Sequence, residues 1–82
     1  MENTTDIYQS KENNDFRLIV YKSFFYSLLE INIEVNDANR PKYPLLFRIS
    51  KRCEEQEGKQ TLARLMEIAC NEYPGNTWIP ID

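Results

Sequence analysis

The chain has 82 residues, 41% of them hydrophobic and 12% aromatic, with a net charge of −3, two cysteines and no histidine. That is apolar material for one small core, in a size class that buries roughly 60% of its unfolded surface. Without histidine, and with Gly58 and Gly75 the only glycines, the chain lacks the usual general base, a histidine-bearing metal site and a glycine-rich phosphate cradle. Neither enzyme activity nor a cofactor or metal is therefore expected.

Charge is unevenly spread: −3 over residues 1–15, +4 over 16–52 and −4 over 53–82. Such a chain steers partners by one face rather than by its total charge. Residues 1–15 are rich in Asn, Thr, Glu and Ser, with Ile7 and Tyr8 the only large apolar side chains after Met1. They read as a flexible N-terminal arm that could hold a short strand around Ile7 and Tyr8. The polar, acidic start is unlike a signal peptide, and no apolar run approaches membrane-spanning length, so cytoplasmic residence is the expectation. In that setting Cys53 and Cys70 read as free thiols, Cys70 as a packing residue.

A single α+β domain is expected over 16–82. Its first stretch, 16–28, satisfies both strand and helix spacing; its Ile, Val, Tyr and Phe content favours a strand with a turn near Lys22-Ser23. Next, Leu29, Ile31, Ile33 and Val35 alternate with Glu30, Asn32, Glu34 and Asn36, the pattern of a half-buried strand. Asn36-Asp37-Ala38-Asn39-Arg40-Pro41 is a loop signal. Residues 45–50 read as a third strand, with Leu45, Phe47 and Ile49 inward and Leu46, Arg48 and Ser50 outward, and 51–58 as an exposed connection. Leu62, Leu65, Met66, Ala69 and Tyr73 form one apolar stripe, which predicts a helix over about 59–73. Pro74-Gly75 ends it, and 74–82 follow as an extended tail. Trp78 in that tail is expected to plug the seam between sheet and helix rather than to stand out as an interface anchor.

These elements make a small two-layer α+β sandwich: a three-stranded antiparallel meander with the C-terminal helix packed on one face. One helix cannot cover both faces, so Ile19, Tyr21, Leu28 and Leu46 should lie exposed beside Arg17, Glu30 and Arg48. A mixed apolar and basic patch of this kind marks a contact surface. The candidate partner-binding residues are Arg17, Tyr21 and Arg48 on that face, with Arg40, Lys42 and Tyr43 in the adjoining loop. They supply aromatic area and charge-assisted hydrogen bonds.

The functional expectation is a non-enzymatic interaction protein, an inhibitor or adaptor that masks a protein partner's surface. Short dipolar chains without catalytic residues are common among accessory proteins of phages and mobile elements, including those directed against host systems. Two alternatives remain. The basic stretch Arg40, Lys42, Arg48, Lys51 and Arg52, interleaved with Tyr43 and Phe47, suits a nucleic-acid-binding regulator, although Glu54, Glu55 and Glu57 follow directly and repel phosphate. Or the open face serves self-association, as a homodimer. The acidic residues Glu54, Glu55, Glu57, Glu67 and Glu72 read as a solubilising surface.

Overall fold

The computed structural model describes residues 3–81; Met1, Glu2 and Asp82, at the ends of the expected arm and tail, lie outside the described residues. The alternating apolar residues of the central stretch settle its geometry. β2 (Phe16–Phe25) and β3 (Leu28–Asp37) form one long antiparallel hairpin in which Leu18 opposes Val35 and Val20 opposes Ile33. Lys22 and Ser23, read from the sequence as a turn, are paired ladder residues opposite Ile31 and Glu30. The chain reverses instead at Tyr26-Ser27, where Tyr26 takes a left-handed backbone with φ 59°. That conformation is uncommon for an aromatic residue, which is why the turn has no sequence signature.

β4 (Leu45–Glu54) pairs antiparallel with β3 and runs four residues past the expected end, so half of the supposed connection over 51–58 is strand. A bulge interrupts the register where Asn36 meets Leu45 and Val35 meets Phe47. It moves Leu45 outward to 48% exposure, while Leu46 packs against the core cluster, the reverse of the simple alternation.

The sheet is larger than the three-stranded meander expected from sequence. Residues 3–10, assigned to a flexible arm, form β1 (Asn3–Ser10), which pairs with β2 along Asn3 to Gln9. The tail supplies β5 (Trp78–Pro80), antiparallel to β1. The result is a five-stranded antiparallel sheet in the order β4-β3-β2-β1-β5.

α1 (Gly58–Glu72) follows a short 3-10 turn over Glu55–Glu57 and lies against β3 and β4. Its stripe is the expected one: Leu65 and Ala69 are buried, with Leu62, Met66 and Tyr73 packed beside them. The core is Leu18, Val20, Leu29, Ile31, Ile33, Val35, Leu65 and Ala69. Tyr73 closes one end, its ring edge-on to Phe16 and Phe47 at 6.2 and 6.1 Å. Trp78, opposite Ser10 on the covered side of the sheet, packs against the core as the seam-plugging reading anticipates. Among the described residues no helix is long and apolar enough to cross a membrane.

A compact polar knot ties the C-terminal strand to the β1–β2 loop. The fully buried Ser10 Oγ donates to Asn76 Oδ1 at 2.6 Å and accepts from the Asn13 N–H at 3.1 Å. Beside it the Glu12 carboxylate accepts from both the Thr77 N–H and its hydroxyl, at 2.6 and 2.8 Å. The Lys11 N–H completes the junction on the Thr77 carbonyl at 2.9 Å. Residues that look disordered by composition are thus held by each other's hydrogen bonds.

Candidate functional site

Because side chains alternate along strands, the register assigns every strand residue to one face. The buried Leu18, Val20, Ile31, Ile33 and Val35 share the helix side, so their neighbours in sequence line a face with no covering layer. On that face Ile7 of β1 opposes Ile19 of β2, and Ile79 of β5 opposes Gln9. The Ile81 N–H donates to the Ile7 carbonyl, which places Ile81 next to this row. Tyr21 sits across from Thr5 and Asn32, and Phe25 across from Leu28 at the hairpin end. Of the nine large hydrophobic residues exposed among the described residues, six belong here: Tyr21, Phe25, Leu28, Leu45, Ile79 and Ile81.

The β3–β4 half of the same face carries a ladder of opposite charges. Arg48 stands across from Glu34, Nε to Oε2 3.7 Å, and Arg52 across from Glu30. The second pair is the closer: Arg52 Nε donates to Glu30 Oε2 at 2.7 Å, while Asn32 Nδ2 donates to Glu30 Oε1 at 3.3 Å. Directly opposed charges of this kind fix the register of the two strands. The hydrogen bond from Arg52, then that from Asn32, holds the Glu30 carboxyl below the usual glutamate range.

The sequence-predicted residues divide between this face and its edge. Arg17, Tyr21 and Arg48 are on the uncovered face, with Tyr21 36% exposed. Arg17 folds towards the β1–β2 loop and donates to the Asn14 and Phe16 carbonyls. Arg40, Lys42 and Tyr43 are exposed in the β3–β4 loop, beyond the strand ends. That loop is shaped by Asp37, whose carboxylate accepts from the Asn39 N–H at 2.9 Å and whose carbonyl accepts from the Arg40 N–H at 3.0 Å. Of the expected apolar set, Ile19, Tyr21 and Leu28 lie on the face and Leu46 does not.

The basic stretch is not gathered onto one surface. Arg48 and Arg52 are paired with glutamates, Lys51 opposes Ile31 on the helix side, and Arg40 and Lys42 stand in the loop. Phe47 is half-buried against the core. Sequence reasoning missed Ile7, Ile79 and Ile81 as residues of the face because β1 and β5 were read as arm and tail, and Arg52 because the third strand was ended at Ser50. The signal left in the sequence is slight: Ile79 and Ile81 keep the period of two, while Ile7 and Tyr8 are adjacent apolar residues, one for each face.

Chemically, the groups with shifted acidities all move away from neutrality. Hydrogen bonds from Thr77 lower the Glu12 carboxyl, as Arg52 and Asn32 lower that of Glu30. Burial raises the Cys70 thiol, and burial with nearby Glu72 raises the Tyr73 phenol. A proton-transfer group works best near the ambient pH, and a thiol attacks as its thiolate. Cys53 and Cys70 are free, and among the described residues no three His, Cys, Asp or Glu side chains gather as a metal site would. An apolar cleft of about 310 Å³ lies between the start of α1 and the β2–β3 hairpin, lined by Phe24, Leu29, Leu62, Lys22 and Lys59. Comparison with protein-family models, with characterised proteins and with solved structures finds no match to this chain.

Proposed function

We propose that this chain is a non-enzymatic protein-interaction module, an inhibitor or adaptor that acts by covering a partner's surface with its bare sheet face. The observation that carries the reading is the concentration on one face of six of the nine large hydrophobics exposed among the described residues, beside Arg17, Arg48 and Arg52. Isolated exposed apolar residues are ordinary, but six gathered on one sheet face, with charged residues between them, have the mixed apolar and charged composition of an interface. Tyr21 supplies rigid aromatic area near its centre, and Tyr43 with Arg40 and Lys42 extends it at one corner. A nucleic-acid-binding regulator is the competing reading. The glutamates opposite Arg48 and Arg52 weigh against it, since they neutralise charge that phosphates would need.

The test is capture of partners by the tagged chain from nuclease-treated lysate, with far-UV circular dichroism confirming that each variant is folded. The proposal expects a protein that is retained by the wild type and by Ile68→Lys, an exposed helix position, and lost with Tyr21→Ala and Arg48→Glu. Recovery that disappears with nuclease, or the lack of any partner lost with both face substitutions, refutes it.

A further inference from the structure

We infer that the open edge of β4, together with the groove between that strand and α1, accepts an extended acidic segment of a partner protein as a further strand of the sheet. This surface is separate from the bare sheet face, and the contact is independent of the one proposed there.

The two edges of the sheet are built differently. At one, β5 is three residues long and contains Pro80, which has no N–H to offer a further strand. At the other, β4 is ten residues long and its register shift lies beside Leu45, so the ladder is regular from Phe47 to Glu54. Among the described residues nothing pairs with its outer side. Every second residue of such a strand turns its N–H and C=O away from the sheet, and that row is what an added strand pairs with.

The groove supplies the selectivity. It measures about 460 Å³ and runs between β4 and α1 on the helix side of the sheet. Ile49, Leu65 and Ile68 give it an apolar wall, and Lys51 and Arg64 stand exposed along it. The rest of its lining is polar and uncharged, and neither cation is ion-paired among the described residues. Arg48 and Arg52, on the other side of β4, are by contrast already partnered by Glu34 and Glu30. Two cations are few for a phosphate backbone, and no aromatic lines the groove for a base to stack on.

Ile49 and Lys51 are two residues apart on one side of β4, which fixes the pattern a partner strand needs. Running antiparallel, it sets an Asp or Glu against Lys51 and Arg64, and an apolar residue two positions later against Ile49 and Ile68. The same cations repel the basic β4 of a second copy, so the edge rejects its own kind and favours an acidic strand.

NMR titration of the isotopically labelled full chain with a blocked peptide carrying the run Glu-Thr-Val-Thr-Val tests this. Shifts are expected at Ile49, at Ile68 and along the β4 amides, with Ile7, Ile19, Ile79 and Ile81 unmoved. Replacing the peptide's Glu by Lys should weaken binding at least ~10-fold. Lys51→Glu/Arg64→Glu, which changes two exposed side chains, should reverse that preference. Of the two peptides N-methylated at alternate residues, the one whose methyls face β4 should not bind. No shift at millimolar peptide, binding indifferent to the charge exchange, or equal binding of both N-methylated forms overturns the proposal. Shifts at Ile49 and Ile68 with a DNA oligonucleotide but not with the peptide overturn it too, giving the groove to nucleic acid. The bare face is judged separately, by Tyr21→Ala and Arg48→Glu.

Discussion

Ser10→Ala isolates the link that converts an apparent tail into a strand. Ser10 is fully buried, and its hydroxyl both donates to Asn76 and accepts from the Asn13 N–H. Truncation removes two hydrogen bonds, each worth about 1 kcal/mol net, and leaves an amide oxygen and a backbone N–H without that partner. Asn13 and Asn76 are only half-buried, so water recovers part of the loss and the total should be about 2 kcal/mol. For a chain of this size that corresponds to a fall in Tm of roughly 8–16 °C. Thermal and urea unfolding followed by circular dichroism would measure it, with Ser50→Ala on exposed β4 as the control, expected within about 0.5 kcal/mol of the wild type. Amide exchange should accelerate first in β5 and the β1–β2 loop. A loss no greater than that of Ser50→Ala, with β5 still protected, would refute the argument that this buried hydroxyl fastens the C-terminal strand.

The two glycines should respond for opposite reasons. Gly75 has φ 82° with nothing within 4 Å of where a Cβ would stand, so Gly75→Ala should cost about 1 kcal/mol by backbone strain alone, and Gly75→Asn less. Gly58 is already helical, but an added Cβ meets Leu29 Cδ2 at 2.8 Å. Gly58→Ala should therefore lose about 1–3 kcal/mol through overpacking, and a double-mutant cycle with Leu29→Ala should show strong non-additivity by denaturant unfolding. The acid limb offers a third check. Glu30 has a lowered folded pKa, so its contribution to stability is present above the unfolded value and is lost as pH falls through the folded one. Carboxyl NMR should find Glu30 titrating below the usual range in the wild type and moving up towards it in Arg52→Gln; an unchanged midpoint would mean that the pair is not formed in solution.

What the sequence made legible was whatever the hydrophobic period controls. The alternation through β3 and the stripe from Leu62 to Tyr73 place the central strand and the helix with little error, because burying those side chains decides their conformation. Trp78 followed for the same reason. The outer strands were obscured because their order comes from partners distant in the chain. Asn3 to Gln9 gains its ladder from β2, and β5 is held by Ser10, Glu12 and Lys11, none of which carries a local strand signal. The turn at Tyr26 lacks the Gly, Asn or Asp that would announce it, and the bulge at Asn36 reverses the facing of Leu45 without any composition change. The candidate site was accordingly half visible: its charged β3–β4 side and Tyr21 could be read, while its isoleucine row needed β1 and β5 in place.

The eight isoleucines test the central claim most directly, since they are divided by the sheet. Ile7, Ile19, Ile79 and Ile81 lie on the uncovered face, Ile31, Ile33 and Ile49 on the helix side, and Ile68, partly exposed, on the flank of α1 beside β4. Methyl NMR spectra recorded over a concentration series, and again with a captured partner added, would report which of them enter a contact. Shifts are expected at Ile7, Ile19, Ile79 and Ile81, with Ile68 unmoved. Shifts centred on Ile68, or none at the four face methyls under either condition, would contradict it.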